Sequence, residues 1–179
     1  MYKIIIGVVI AAAVVIIGFM LIDPKVNGNN ANQTSQTTET NSGNTYTIEG
    51  EVNKPGTYVF SSDITMGDLI QAGGGTTNNA DYLAFFEESP LVAGNTYYIA
   101  NKYDNTDVCN NQAIAKVNIN ADDANTLTSI NGITSSIASS IVSYRTSNGV
   151  FKTIEQLTEV YGIGNATYRK IRNFVTLHA

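Results

Sequence analysis

Residues 160–172 read VYGIGNATYRKIR, a Gly-Ile-Gly turn with Arg169, Lys170 and Arg172 close behind it, in a chain whose net charge is −5. A tight turn that opens a helix leaves that helix's first backbone N–H groups unpaired, at the positive end of the helix dipole. Such groups form an anion site, and a glycine beside them lets a phosphate come close to the backbone. Gly162, Ile163, Gly164 and Asn165 supply the turn, with Ile163 expected to point inward as a core plug. Arg169, Lys170 and Arg172 supply the charge, so the stretch reads as a contact for a phosphate backbone. A solvated helix face is the competing reading of the basic cluster by itself.

The stretch is also the second copy of a repeat. Sliding residues 116–179 by 30 positions aligns Leu127 with Leu157, Ile130 with Val160, Gly132 with Gly162 and Ile133 with Ile163. Ile141 then meets Ile171, and Tyr144 meets Phe174. Repetition at a fixed spacing marks two copies of one supersecondary unit. Asp123 is placed to N-cap the first helix of copy one, and Thr153 with Gln156 forms a capping box for its counterpart. Gly149 suits the position just past the long helix of copy one. Each copy therefore reads as helix, tight glycine turn, helix.

Copy one departs from copy two at its turn, which reads Ile130-Asn131-Gly132-Ile133-Thr134 and runs on into Ser135, Ser136, Ser139 and Ser140. The second glycine and the cations are missing. Hydroxyls hydrogen-bond a phosphate but release no counterions, so Gly132, Ile133, Thr134 and Ser135 read either as a weaker contact or as mainly a structural partner of copy two. Arg145 completes the candidate set. Substitution of Gly164 is expected to damage binding, and substitution of Gly132 to damage it less. Residues 113–179 carry six Lys/Arg against four Asp/Glu, a net +2, which leaves −7 on the rest of the chain. An acidic pI of 4.7 therefore does not exclude a nucleic-acid partner, because the sign is segregated.

Ahead of the repeat the texture changes. Residues 45–52, TYTIEGEV, alternate with a period of two, Lys54-Pro55-Gly56 makes a turn, and residues 57–60 return as a strand. Thr65 and Asp68 resemble a capping box that opens a short helix ending at Gly73-Gly74-Gly75, and residues 96–100, TYYIA, are β-rich. A hairpin, one helix and further strands suggest a small α+β domain. Tyr58, Tyr97 and Tyr98 fit strand packing or a carbohydrate-stacking surface.

Residues 4–22, IIIGVVIAAAVVIIGFMLI, contain no charged or amide side chain. At ~1.5 Å per residue they reach about 28 Å, close to the hydrocarbon thickness of a bilayer. The run is longer than a signal-peptide core and closes on Phe19-Met20-Leu21-Ile22, which offers no small-x-small cleavage site, so an uncleaved anchor is expected. Lys3 weakly favours a cytoplasmic N-terminus. The polar, nearly uncharged residues 27–44 cannot bury enough apolar surface to fold and read as a disordered tether spanning about 25 Å. One cysteine, Cys109, allows no internal disulfide, and with His178 the only histidine no usual zinc set forms.

Two resemblances follow. GEVNKPGTYVF, LIQAGGGTTNNAD and GNTYYIA, with Pro55-Gly56 and Ala72-Gly73-Gly74, look like the SLBB fold, a β-grasp module. That implies glycan binding or self-association. KVNIN (residues 116–120), IVSYR (141–145), GVFKTIEQL (149–157) and the Gly turns resemble the tandem helix-hairpin-helix domain of the ComEA competence DNA receptor family. Family turns usually read Leu-Pro-Gly-Ile-Gly with cations soon after, a pattern that copy one lacks. The resemblance implies a single-pass membrane protein with its C-terminal domains extracytoplasmic, binding double-stranded DNA without sequence preference during natural transformation. It also implies a homo-oligomer through the β-grasp domain and contacts with other proteins of the DNA-uptake machinery.

The expected architecture is an α+β multi-domain chain. Residues 1–26 form an anchor, 27–44 a tether, 45–103 the SLBB-like β-grasp domain, 104–115 a linker and 116–179 an all-α tandem helix-hairpin-helix domain. No enzyme activity, cofactor or metal is expected: a nuclease needs clustered carboxylates, and Asp122, Asp123, Glu155 and Glu159 read as capping and surface residues. The alternative is a glycan-binding or protein-interaction module with no DNA role.

Overall fold

A computed structural model describes residues 43–104 and 112–179. The expected anchor, the tether up to residue 42 and Cys109 lie outside these residues. Among the described residues no helix is long and apolar enough to cross a membrane. All of them belong to one compact unit, which holds two hydrophobic cores.

The first core lies under a three-stranded sheet in the order β2-β1-β3. Strand β1, Asn44–Gly50, is central, antiparallel to β2, Gly56–Phe60, and parallel to β3, Thr96–Ile99. Its two-residue alternation turns Tyr46 and Ile48 inward, where both are fully buried. Helix α1, Met66–Ala72, closes the core with Met66, Leu69 and Ile70. Its capping box forms as expected: Thr65 N–H donates to the Asp68 carboxylate at 2.9 Å, and Asp68 N–H to Thr65 Oγ1 at 3.4 Å. Strand β4, Tyr103–Asp104, pairs with β5, Gln112–Ala113, across the expected boundary between the β-grasp domain and the linker.

The second core is built by the repeat. Copy one contributes α2, Ala124–Leu127, and α3, Ser135–Asn148; copy two contributes a 3₁₀ helix, Ile154–Glu159, and α4, Asn165–Ile171. Asp123 caps α2 by accepting from Thr126 N–H at 2.7 Å, and Gly149 ends α3 at φ 88°. The aligned pairs Leu127/Leu157, Ile133/Ile163 and Ile141/Ile171 are all buried in this core.

The expectation of an all-α domain is corrected. Strand β6, Val117–Asn118, runs parallel to β7, Val175–Thr176, and so joins the two ends of the domain. Two-residue strands carry no readable periodicity, so only the meeting of distant chain segments creates them. Asn120 secures this closure. Its amide donates to the carbonyls of Phe151 and Leu177, both at 2.9 Å, and its Oδ1 accepts from Phe151 N–H at 2.7 Å.

The hairpins pack reciprocally. Gly132 has φ 116°, and a Cβ there would meet Ile171 Cγ2 of α4 at 3.0 Å. Gly162 has φ 93°, and a Cβ there would meet Ile137 Cγ1 of α3 at 3.3 Å. Each turn thus rests on the second helix of the other copy.

Several contacts join the two cores. Lys116 and Asp81 form an ion pair at 2.5 Å with both side chains 8% exposed. Burial pulls the Lys116 ammonium below its ordinary pKa, against the opposing pull of Asp81. Ser89 Oγ donates to Lys152 O at 2.8 Å, and Leu177 N–H to Leu83 O at 2.7 Å. The His178 ring stacks on Phe86 with centroids 4.7 Å apart.

Asn120→Ala removes three hydrogen bonds and strands the Phe151 N–H, for an expected loss of about 2–4 kcal/mol in denaturant unfolding. A loss below about 1 kcal/mol would show that Asn120 does not hold the domain closed.

Candidate nucleic-acid interface

In copy two the turn places its groups as the spacing predicts. Ile163 is buried, and its N–H donates to Val160 O at 3.0 Å, which closes the turn. Gly164 then stands at the N-cap of α4 at φ −90°, ψ 176°, an extended conformation open to any residue. No heavy atom beyond its chain neighbours lies within 4 Å of where its Cβ would sit. Asn165 and Arg169 are exposed, and Arg169 Nε makes only a long bond to Asn165 O at 3.4 Å.

Copy one presents the matching turn. Ile133 is buried, with its N–H on Ile130 O at 3.0 Å. Thr134 stands where Gly164 does and caps α3, accepting from Ile137 N–H at 3.3 Å. Ser135 is exposed. Ser139 and Ser140 donate their hydroxyl protons to the carbonyls of Ser135 and Ser136, so those protons are taken.

Lys170 connects the two turns. Its ammonium donates to Asn131 Oδ1 at 2.9 Å, which puts a copy-two charge beside the copy-one turn. Nothing in the sequence spacing signals this, because the partners are 39 residues apart.

Two candidate cations are engaged elsewhere. Arg145 donates to Ile119 O and Asp122 O, both at 2.7 Å, and so ties α3 to the start of the domain. Arg172 lies over the ring of Tyr98 at 3.5 Å and faces Glu49 at 3.8 Å, both on the three-stranded sheet. Arg145 is thus not placed with the turn residues, whereas Arg172 lines one cleft with Asn165 and Arg169.

The carboxylates are also accounted for. Asp122 accepts from Asn118 N–H, Asp123 caps α2, and Glu159 accepts from Tyr144 OH at 2.6 Å. Glu155 joins the cores, accepting from Tyr98 N–H at 2.8 Å and from Tyr168 OH at 3.0 Å. Among the described residues no group of His, Cys, Asp and Glu is placed to hold a metal ion. The three tyrosines with two readings are packed. Tyr97 is buried with its hydroxyl on Val92, Tyr58 OH donates to Lys54 O, and Tyr98 is covered by Arg172.

A β-grasp sheet fused to paired helix-hairpin-helix turns defines the class, and comparison with known proteins agrees. Residues 45–91 match the SLBB domain, and residues 112–176 match the helix-hairpin-helix motif. ComE operon protein 1 of Bacillus subtilis (strain 168) is 33% identical over 139 residues, covering 73% of this chain and 68% of that protein. The chain belongs to the ComEA family of DNA-binding competence proteins.

The structure separates the glycines by what the fold requires of each. Gly132 and Gly162 are required by the fold, at positive φ and against a neighbouring helix, whereas Gly164 is not. Gly162→Ala is expected to destabilise the domain by about 1 kcal/mol or more. Gly164→Ala should leave stability unchanged or raise it by up to about 1 kcal/mol. Thermal melts of the two variants check this, and a Gly164→Ala protein that melts well below wild type would contradict it.

Burial pushes the Glu155 carboxyl above its ordinary pKa of 4.5, with its hydrogen bonds opposing the shift. Between the unfolded and folded values the native state binds more protons, so stability falls as pH rises through that window. Glu155→Gln has no proton to lose. The stability of wild type relative to this variant should therefore decline as pH rises above the ordinary carboxyl value of 4.5. A constant difference across that range would contradict the shift.

Proposed function

We propose that this chain is a membrane-anchored, extracytoplasmic receptor that takes up double-stranded DNA in natural transformation, gripping the phosphate backbone without reading sequence. Gly164 carries this reading. The fold asks for no glycine there, and glycine forgoes the side-chain cap that Thr134 supplies in copy one. A ligand that must come within contact of the backbone explains the missing side chain, and a phosphate beside exposed Arg169 and Lys170 is that ligand.

Gly162, Gly164 and Asn165 supply backbone donors to one phosphate over the buried Ile163, with Arg169 and Lys170 neutralising its neighbours. Gly132, Ile133, Thr134 and Ser135 form a second contact, which borrows its charge from Lys170. Arg145 and Arg172 hold the scaffold. Residues 4–22 anchor the chain, and the polar run from residue 27 up to the start of β1 at Asn44 lifts the unit off the membrane. The SLBB domain of residues 45–103 brings copies together, so avidity compensates for a modest contact in each.

Fluorescence anisotropy with labelled duplexes of unrelated sequence tests the proposal. Replacing Arg169 and Lys170 by alanine should weaken binding to every duplex alike, by about tenfold near 0.1 M salt. The slope of log affinity against log salt should become shallower by about 1.8, at ~0.9 per phosphate. Gly164→Val should weaken binding with its melting temperature intact. Binding that ignores salt, or that survives both changes, overturns the reading.

A further inference from the structure

Arg172 follows directly on the helix that carries Arg169 and Lys170, but its guanidinium is engaged by the sheet. Its guanidinium lies 3.5 Å from the Tyr98 ring centroid on β3 and 3.8 Å from the Glu49 carboxylate on β1. Glu49 and Tyr98 are register partners across the β1–β3 pair, so Arg172 grips one rung of the sheet. The Arg172 side chain is 23% exposed, and Glu49 is 52% exposed. The stacked tyrosine is therefore the stronger partner, because an ion pair to so exposed a carboxylate is screened.

A second contact reaches the same rung. Tyr98 N–H donates to Glu155 at 2.8 Å, and the same carboxylate oxygen accepts from Tyr168 OH at 3.0 Å. Tyr168 lies on α4, one turn before Arg172. Tyr98 is thus held on its ring by Arg172 and through its backbone by the Tyr168–Glu155 link. Helix α4 has seven residues, too few to keep a fixed orientation without such support.

We propose that Arg172 and Tyr98 position the DNA-contacting helix. The SLBB sheet thereby raises DNA affinity without touching DNA, by holding α4 at the angle its cations need. The proposal rests on the DNA reading of the second hairpin, and it assigns the sheet a task separate from self-association. It also separates Arg172 from Arg169 and Lys170 in a measurable way. A phosphate contact changes the salt slope, whereas a positioning contact changes affinity at constant slope.

The test uses the full-length chain with a labelled duplex, titrated at several salt concentrations, for Arg172→Ala, Tyr98→Leu, Tyr98→Phe and the Arg172→Ala/Tyr98→Leu pair. The two single losses should each weaken binding about three- to tenfold, the range open to a stacked guanidinium, with the wild-type slope. The pair should bind no worse than either single variant, and Tyr98→Phe, which keeps the ring, should bind as wild type. Amide hydrogen exchange on the same proteins without DNA should be faster for residues 169–171 in both loss variants, and unchanged in α3 and β1.

A slope shallower by about 0.9 in Arg172→Ala would place that residue on a phosphate and overturn the proposal. Wild-type affinity in Tyr98→Leu would overturn it as well. If wild type itself does not bind duplex, the DNA reading has failed. Exchange then decides the positioning claim alone, and unaltered exchange in residues 169–171 overturns it.

Discussion

A helix of seven residues does not keep its shape alone in water, and α4, which carries Arg169 and Lys170, is that short. Its shape is imposed from outside. Ile171 is fully buried, and the copy-one turn packs its Gly132 against that side chain. Tyr168 reaches Glu155, and Arg172, just past the helix, reaches Tyr98. The hairpins, the sheet contact and the domain closure at Asn120 all serve to give two turns of helix one orientation. For a contact made through backbone donors, orientation decides affinity, because such donors cannot swing to find their partner as a long side chain can.

The electrostatics are divided along the same line. Residues 45–103 hold seven acidic residues against two lysines, while residues 113–179 are net positive. On the proposed reading the acidic module repels a duplex and the hairpin face receives it, so the charge pattern orients the encounter without adding contacts. Lys170 draws further use from a limited supply of cations. Its ammonium, carried on the copy-two helix, sits beside the copy-one turn, which offsets the loss of charge there.

Much of the fold was legible in residues 116–179, because the signals are local. A glycine turn, Asp123 as a cap and Gly149 as a stop each act within a few residues of themselves, and the 30-residue offset repeats them. The alternation of β1 and the Thr65–Asp68 box were legible for the same reason. The pairing of β6 with β7 and the hairpin across the expected linker boundary were not, since strands of two residues have no period to detect. At the site, clustering drew Arg172 into the candidate set, and clustering along the chain does not show what a side chain meets. Arg172 comes one residue after the last of α4, and its side chain reaches Tyr98 and Glu49 of the sheet.

The sequence by itself determined which units exist: a small α+β module, two copies of helix, tight glycine turn and helix, and a net positive second half. These follow from periodicity, caps and composition, which depend on neighbours in the chain. Only the tertiary structure decided which cation faces which partner and which glycine the fold can spare. The glycines look alike in sequence, but Gly132 and Gly162 sit at positive φ against the opposite helix while Gly164 faces open space. That distinction depends on what lies across from each residue, and packing between segments far apart in the chain sets it.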